Sequence, residues 1–123
     1  MSVATGLSAA WCVCNLPVMR DYLRDRLGFK LQGEFTPRGQ STPSWASLLF
    51  DKAEIMLLAG DYPEPAQDWA AYIWANDVDA LFSTFSDAGA DIKSPPVNKA
   101  YGNRELEVRL PDGRILVFAS SPP

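Results

Sequence analysis

Histidine is absent from all 123 residues, and cysteine occurs only at Cys12 and Cys14. Imidazole is the side chain that titrates near neutral pH and the commonest metal ligand, so its absence removes the usual general base and the usual anchor for Zn, Fe or Ni. A nucleophilic hydrolase is disfavoured on that ground, and no Gly-x-Ser-x-Gly elbow occurs either. Two thiols alone cannot complete a tetrahedral zinc site. On a strand Cys12 and Cys14 would share one face. The expectation is that both are buried as small hydrophobes, in keeping with a reducing cytoplasm.

Basic charge is scarce as well, with 11 Lys and Arg against 15 Asp and Glu and a formal net charge of -4. Nucleic acid and anionic membranes need a basic footprint, so neither is an expected partner, and a cationic ligand is favoured instead. No apolar run approaches the roughly 20 residues of a membrane span. The opening residues lack a basic n-region, so no signal peptide is expected. What is present, 47% hydrophobic and 21% charged residues, is the balance of one globular domain.

The chain carries an internal repeat. Shifted by 61 residues, Asn15 falls on Asn76, Gly28 on Gly89 and Asp51 on Asp112, and a recurrence of this kind marks duplicated supersecondary units. In the first copy, residues 7 to 14 read as a strand and Asn15 as an N-cap. Leu16, Met19, Leu23 and Leu27, with Tyr22 beside them, recur at helical spacing until Gly28 closes the segment. Phe29, Leu31 and Gly33 start a second strand, and residues 35 to 44 form a polar loop. Trp45 to Phe50 and Glu54 to Ala59 form a hairpin around Asp51 and Lys52.

Residues 60 to 68, with Pro63 and Pro65, read as a linker. The second copy has a strand near 70 to 75, a cap at Asn76 or Asp77, and a helix with Val78, Leu81, Phe82, Phe85 and Ala88 on one face until Gly89. A strand over Ala90 to Lys93, a loop from Ser94 to Gly102, and a hairpin from Asn103 to Ala119 turning at Pro111, Asp112 and Gly113 complete it. The predicted class is α+β: two β-α-β-β-β modules, about 7–60 and 69–120, in a single domain with an open, curved mixed sheet around a cleft.

Tyr22-Leu23-Arg24-Asp25-Arg26-Leu27-Gly28-Phe29 resembles the first-helix signature of the vicinal oxygen chelate superfamily, which comprises the glyoxalase, bleomycin resistance protein and extradiol dioxygenase group. Tyr101-Gly102-Asn103-Arg104-Glu105-Leu106-Glu107-Val108-Arg109-Leu110-Pro111-Asp112-Gly113 resembles its C-terminal hairpin. Enzymes of that superfamily hold a divalent metal with histidines on each opening strand and carboxylates on each closing one. The resemblance places those positions near Ser8, near Trp69 or Ala70, near Met56 and at Val117, and these cannot ligate or, for the Met56 thioether, suit metals that prefer oxygen and nitrogen. Glu54 and Glu107 lie nearby, on what are expected to be solvated strand faces. No metal and no cofactor is expected, which implies the metal-free bleomycin resistance branch, whose members bind a cationic, aromatic glycopeptide drug without altering it.

That branch implies a set of stacking residues. Trp45-Ala46-Ser47-Leu48-Leu49-Phe50 is similar to the family segment opening with an aromatic that stacks on the drug's rings, and Tyr101-Gly102 to the opposing aromatic before a glycine. Ala71-Tyr72-Ile73-Trp74-Ala75 resembles the strand opening the second module. The expected ligand-binding set is Trp45, Tyr101, Trp74, Tyr72 and Phe35. Glu34, Asp61 and Glu105, with Glu64 and Asp68, would set a negative field, although each carboxylate also reads as an ordinary solvated charge. The resemblance implies a cytoplasmic, non-enzymatic homodimer that sequesters a cationic aromatic antibiotic. The alternatives are a metal-independent lyase or isomerase using Glu105 or Glu107 as base, or a drug-responsive regulatory module.

Overall fold

The computed structural model describes residues 3–121. The chain divides into two compact units, one formed by the chain up to Arg24 together with Gly28–Pro63, the other by Asp25–Leu27 together with the chain from Glu64 onward. The first contains β1 (Ser8–Val13), α1 (Leu16–Leu27) apart from its last three residues, β2 (Lys30–Phe35), β3 (Trp45–Phe50) and β4 (Ala53–Ala59). The second contains β5 (Trp69–Trp74), α2 (Val78–Asp87), β6 (Asp91–Asn98), β7 (Arg104–Arg109) and β8 (Ile115–Ser120). The β-α-β-β-β order is present twice, and the mixed sheet takes the form of two four-stranded sheets, ordered β1-β4-β3-β2 and β5-β8-β7-β6. In each, the opening strand runs parallel to the closing one and the remaining pairs are antiparallel.

Local chemistry sets the helix ends. The Asn15 side chain accepts the Val18 N–H at 3.2 Å, and Pro17 sits in the first turn, where its missing donor costs nothing. Gly28 at φ 76° turns its N–H back to the Arg24 carbonyl, and Phe29 N–H reaches the Leu23 carbonyl at 2.9 Å. In α2 the cap is Asp77, whose carboxylate accepts the Ala80 N–H at 3.1 Å. Leu16, Met19, Leu23 and Leu27 are all buried, as helical spacing requires.

Strand alternation sorts each sheet into two faces. In the first unit Trp11, Val13, Ala46, Leu48, Ile55 and Leu57 share a buried face. In the second, Ile73, Leu106, Val108, Leu116 and Phe118 do so beneath α2, where Phe85 meets Phe118 at a ring separation of 5.0 Å. Burying a side chain such as Phe118 contributes about 1.5–3 kcal/mol. The opposite face of the second sheet is left to Tyr72, Trp74, Glu105 and Glu107, and it carries the site described below.

Three expectations are corrected. The segment from Ser94 is not loop: β6 continues through Pro95 and Pro96 to Asn98, with register shifts on either side of Ser94. An edge strand tolerates proline because half its donors need no partner, and bulges absorb the rest. Likewise β2 extends to Phe35, paired with Trp45, before the loop begins. Cys12 and Cys14 are exposed rather than buried, because Trp11 and Val13 take the inward positions and alternation turns their neighbours outward.

Candidate functional site

On β7, Glu105 and Glu107 project from the sheet face opposite α2, with Trp74 and Tyr72 on neighbouring rows through Ala119 and Val117. The expectation of solvated carboxylates fails here: Glu105 is 1% exposed and Glu107 is 8% exposed, because flanking aromatic side chains cover them. Tyr72 donates its hydroxyl to Glu105 Oε2 at 2.7 Å, and Tyr101 donates to the same oxygen in a short hydrogen bond. Asn103 Nδ2 in turn donates to the Tyr72 oxygen at 2.9 Å, fixing which way that phenol points. Glu105 Oε1 is buried and has no hydrogen-bond partner among the described residues.

The neighbouring carboxylate is engaged differently. Glu107 Oε1 accepts from Trp69 Nε1 at 3.2 Å and from Lys93 Nζ at 3.5 Å. The rings form a continuous run: Trp69 and Tyr72 lie 5.6 Å apart, and Tyr72 meets Trp74 edge-on at 5.2 Å, geometries that aromatic quadrupoles favour. Trp74 and Tyr101 stay 65% and 62% exposed, so the run ends in accessible rings beside a buried anion. The hydrogen bond to Glu105 pushes the Tyr101 phenol up to about 12. Burial, then the bond to Glu105, raises Tyr72, with the Asn103 donor working against them. Both phenols therefore remain protonated donors at neutral pH.

The other expected site residues fall in the first unit. Phe35 is 59% exposed at the end of β2, and across from it Trp45 is half-buried, its ring passing over Gly33. Glu34 is not a free anion: Arg20 holds it at 3.1 Å while also binding Asp21 at 2.9 Å. Asp61 is exposed in the 60–68 segment, which has no regular secondary structure. Within the second unit, then, Tyr72, Trp74, Tyr101 and Glu105 form one group. Asn103, Trp69 and Lys93 complete their surroundings and were not singled out as ligand contacts from sequence. Alternation of Glu105 and Glu107 on one strand against Tyr72 and Trp74 on another was the signal that could have found them.

The first unit places a carboxylate in a contrasting setting. Glu54 receives Ser8 Oγ in a short hydrogen bond and Ser47 Oγ at 2.5 Å, and these hydroxyls, Ser47 first, hold its carboxyl below the usual range. This arrangement bears on whether a metal of the superfamily's kind fits. Ser8 stands opposite Glu54, Met56 opposite Ala10 and Ser47, and Val117 opposite Tyr72 and Glu107. Among the described residues no three Cys, Asp or Glu groups converge as ligands, and the chain has no histidine. These side chains do not fit the four-ligand metal.

No family model matches the chain, and no curated protein matches it in sequence. Solved structures do. A glyoxalase-related enzyme from Clostridium phytofermentans superposes with a TM-score of 0.82 at 18% identity over 98% of each chain. TioX from Micromonospora sp. ML1 gives 0.73 at 22% identity, covering 97% of this chain and 98% of that one. A glyoxalase/bleomycin resistance protein from Catenulispora acidiphila gives 0.69 at 22% identity over 97% and 100%. The protein has the fold of the glyoxalase/bleomycin resistance protein/dioxygenase superfamily, whose members include both enzymes and binding proteins. No helix is long and apolar enough to cross a membrane.

Proposed function

We propose that this protein is a metal-free binding protein that sequesters a small, cationic, aromatic ligand of the bleomycin type, and that Tyr72, Trp74, Tyr101 and Glu105 hold it. The observation that carries this reading is the unpartnered Glu105 Oε1. A buried charged oxygen left without a donor costs several kcal/mol in principle, and a ligand bringing a protonated nitrogen relieves that cost with a charge-assisted bond. The exposed faces of Trp74 and Tyr101 supply surface for a flat ring and for its cation. Glu34 is set aside because Arg20 neutralises it. The superfamily resemblance and the exposed Trp69, Trp74 and Val97 support a homodimer, which light scattering checks.

Calorimetric titration with metal-free bleomycin tests the assignment. Wild type binds, and Glu105→Gln loses a bond of about 1.5–3 kcal/mol, weakening affinity at least ~10-fold. Equal affinity in the two proteins overturns it. The same free oxygen favours one alternative, a metal-independent lyase or isomerase in which Glu105 takes a proton from bound substrate. Turnover of a ligand by wild type, abolished in Glu105→Gln, would establish that alternative.

A further inference from the structure

The two oxygens of the buried Glu105 carboxylate lie in unlike settings. Oε2 accepts from Tyr72 at 2.7 Å and from Tyr101 in a short bond, while Oε1 is buried and unpartnered among the described residues. An ionised carboxylate offers about two acceptor sites on each oxygen. The phenols therefore saturate Oε2, and every remaining acceptor site is on Oε1.

The phenols are held in that arrangement. Asn103 Nδ2 donates to the Tyr72 oxygen at 2.9 Å, which turns the Tyr72 proton toward the carboxylate. Tyr101 stands in the turn closed by the Gly102 N–H on the Lys99 carbonyl at 3.0 Å. Its bond to Glu105 pushes its ionisation up to about 12, so it stays a donor at neutral pH. Trp74, Ala119 and Glu105 share one row of the second sheet, and the residue between the exposed Trp74 ring and the carboxylate contributes only a methyl group.

We propose that this site, on the reading that Glu105 holds the ligand's cation, selects protonated aliphatic amines, tertiary ones best, over guanidinium, amidinium and quaternary ammonium groups. A guanidinium or amidinium binds a carboxylate best as a fork, with one N–H on each oxygen. Here the fork has to break a phenol bond to reach Oε2. Docked end-on to Oε1 alone, it carries its other N–H donors in among aromatic rings, where unpaired donors are costly. A quaternary ammonium has no N–H and leaves Oε1 unpartnered. A tertiary amine brings one N–H to the one free oxygen, and its carbon substituents rest against the faces of Trp74 and Tyr101. Entry runs along the row of Trp74 and Ala119, where the exposed indole turns outward to admit the nitrogen.

The test is calorimetric titration at neutral pH with three probes on one flat scaffold: dimethyl(naphthylmethyl)amine, trimethyl(naphthylmethyl)ammonium and naphthylmethylguanidine. Wild type binds the amine at least ~10-fold more tightly than either of the others, the scale of one charge-assisted bond. In Glu105→Gln the two phenols hold the amide oxygen at the Oε2 place and turn its NH2 toward the ligand, so the amine falls to the level of the trimethylammonium probe. Tyr101→Phe, a change at an exposed ring that keeps the stacking surface, opens an acceptor site on Oε2 and raises the guanidine several-fold relative to the amine. Equal wild-type affinity for the amine and either other probe, no binding of the amine, or an unchanged ratio in Tyr101→Phe overturns the selectivity. If Glu105→Gln still weakens all three probes, Glu105 remains the anchor and only the selectivity falls. If the amine binds Glu105→Gln as it does wild type, Glu105 is not the anchor and the proposed function falls with it.

Discussion

Glu54 on β4 of the first unit and Glu105 on β7 of the second are carboxylates within sheets of the same strand order, yet their neighbours treat them in opposite ways. Glu54 has a serine hydroxyl for each oxygen. Glu105 has two phenols on one oxygen and none on the other. Ser47 and Glu107 stand at matching places, opposite Met56 and Val117 on the closing strands, so the small hydroxyl of one unit is a carboxylate in its counterpart. Filling a sheet face with serines satisfies a charge internally; filling it with rings and a second carboxylate leaves a charge open to an outside donor. Duplication supplied one scaffold, and a few side chains on one face separate a closed polar cluster from a receptive one.

The largest expected effect tests the cores beneath that contrast. Phe118→Ala should cost about 3–5 kcal/mol and Leu48→Ala about 2–5 kcal/mol, since both side chains are fully buried. Denaturant titration of each should show one shared transition if the chain unfolds as the single domain that we propose; two separate transitions would make the units independent. Next comes the comparison of the carboxylates. Glu105→Gln should weaken bleomycin binding at least ~10-fold while Glu54→Gln leaves it unchanged, and similar losses in both would erase the distinction between the two faces.

A smaller effect is spectroscopic. Tyr101 should ionise near 12 in wild type, against about 10 for an unperturbed phenol, and Glu105→Gln should bring it down, as read by phenolate absorbance. Because the folded value is raised, its contribution to stability is present below about 10 and is lost as pH rises through about 12. The smallest effect belongs to Glu54, whose folded value is depressed below 4.5. Its contribution is present above 4.5 and is lost as pH falls through the lower folded value. Ser47→Ala should flatten that acid limb in unfolding curves taken across the range; an unchanged slope would remove the serine from the account.

Much of the fold was legible because its signals are local. Asn15 and Gly28 bound α1 through bonds within a few residues, and the Asp51-Lys52 hairpin follows from one turn, with Asp51 at φ 51°. The run of Pro95 and Pro96 misled because it breaks a strand anywhere but at an edge, and edges are decided by sheet order, which no short window contains. The aromatic members of the site were visible by alternation. The setting of Glu105 was not, since Tyr72, which donates to Glu105 and accepts from Asn103, lies more than thirty residues from both. The same holds for Glu54 and Ser8, separated by 46 positions.

Pro95 and Pro96 also have a consequence for the protein in a crowded solution. Sheet edges template other chains through their free backbone donors, and β6 forms one rim of the second sheet with two consecutive residues that carry no N–H. A stray strand approaching that rim finds a gap in the ladder and an irregular register beside it. The segment that most resembled a loop in sequence thus blunts the edge of the sheet that carries Glu105, so that the rim offers a poor template to another chain.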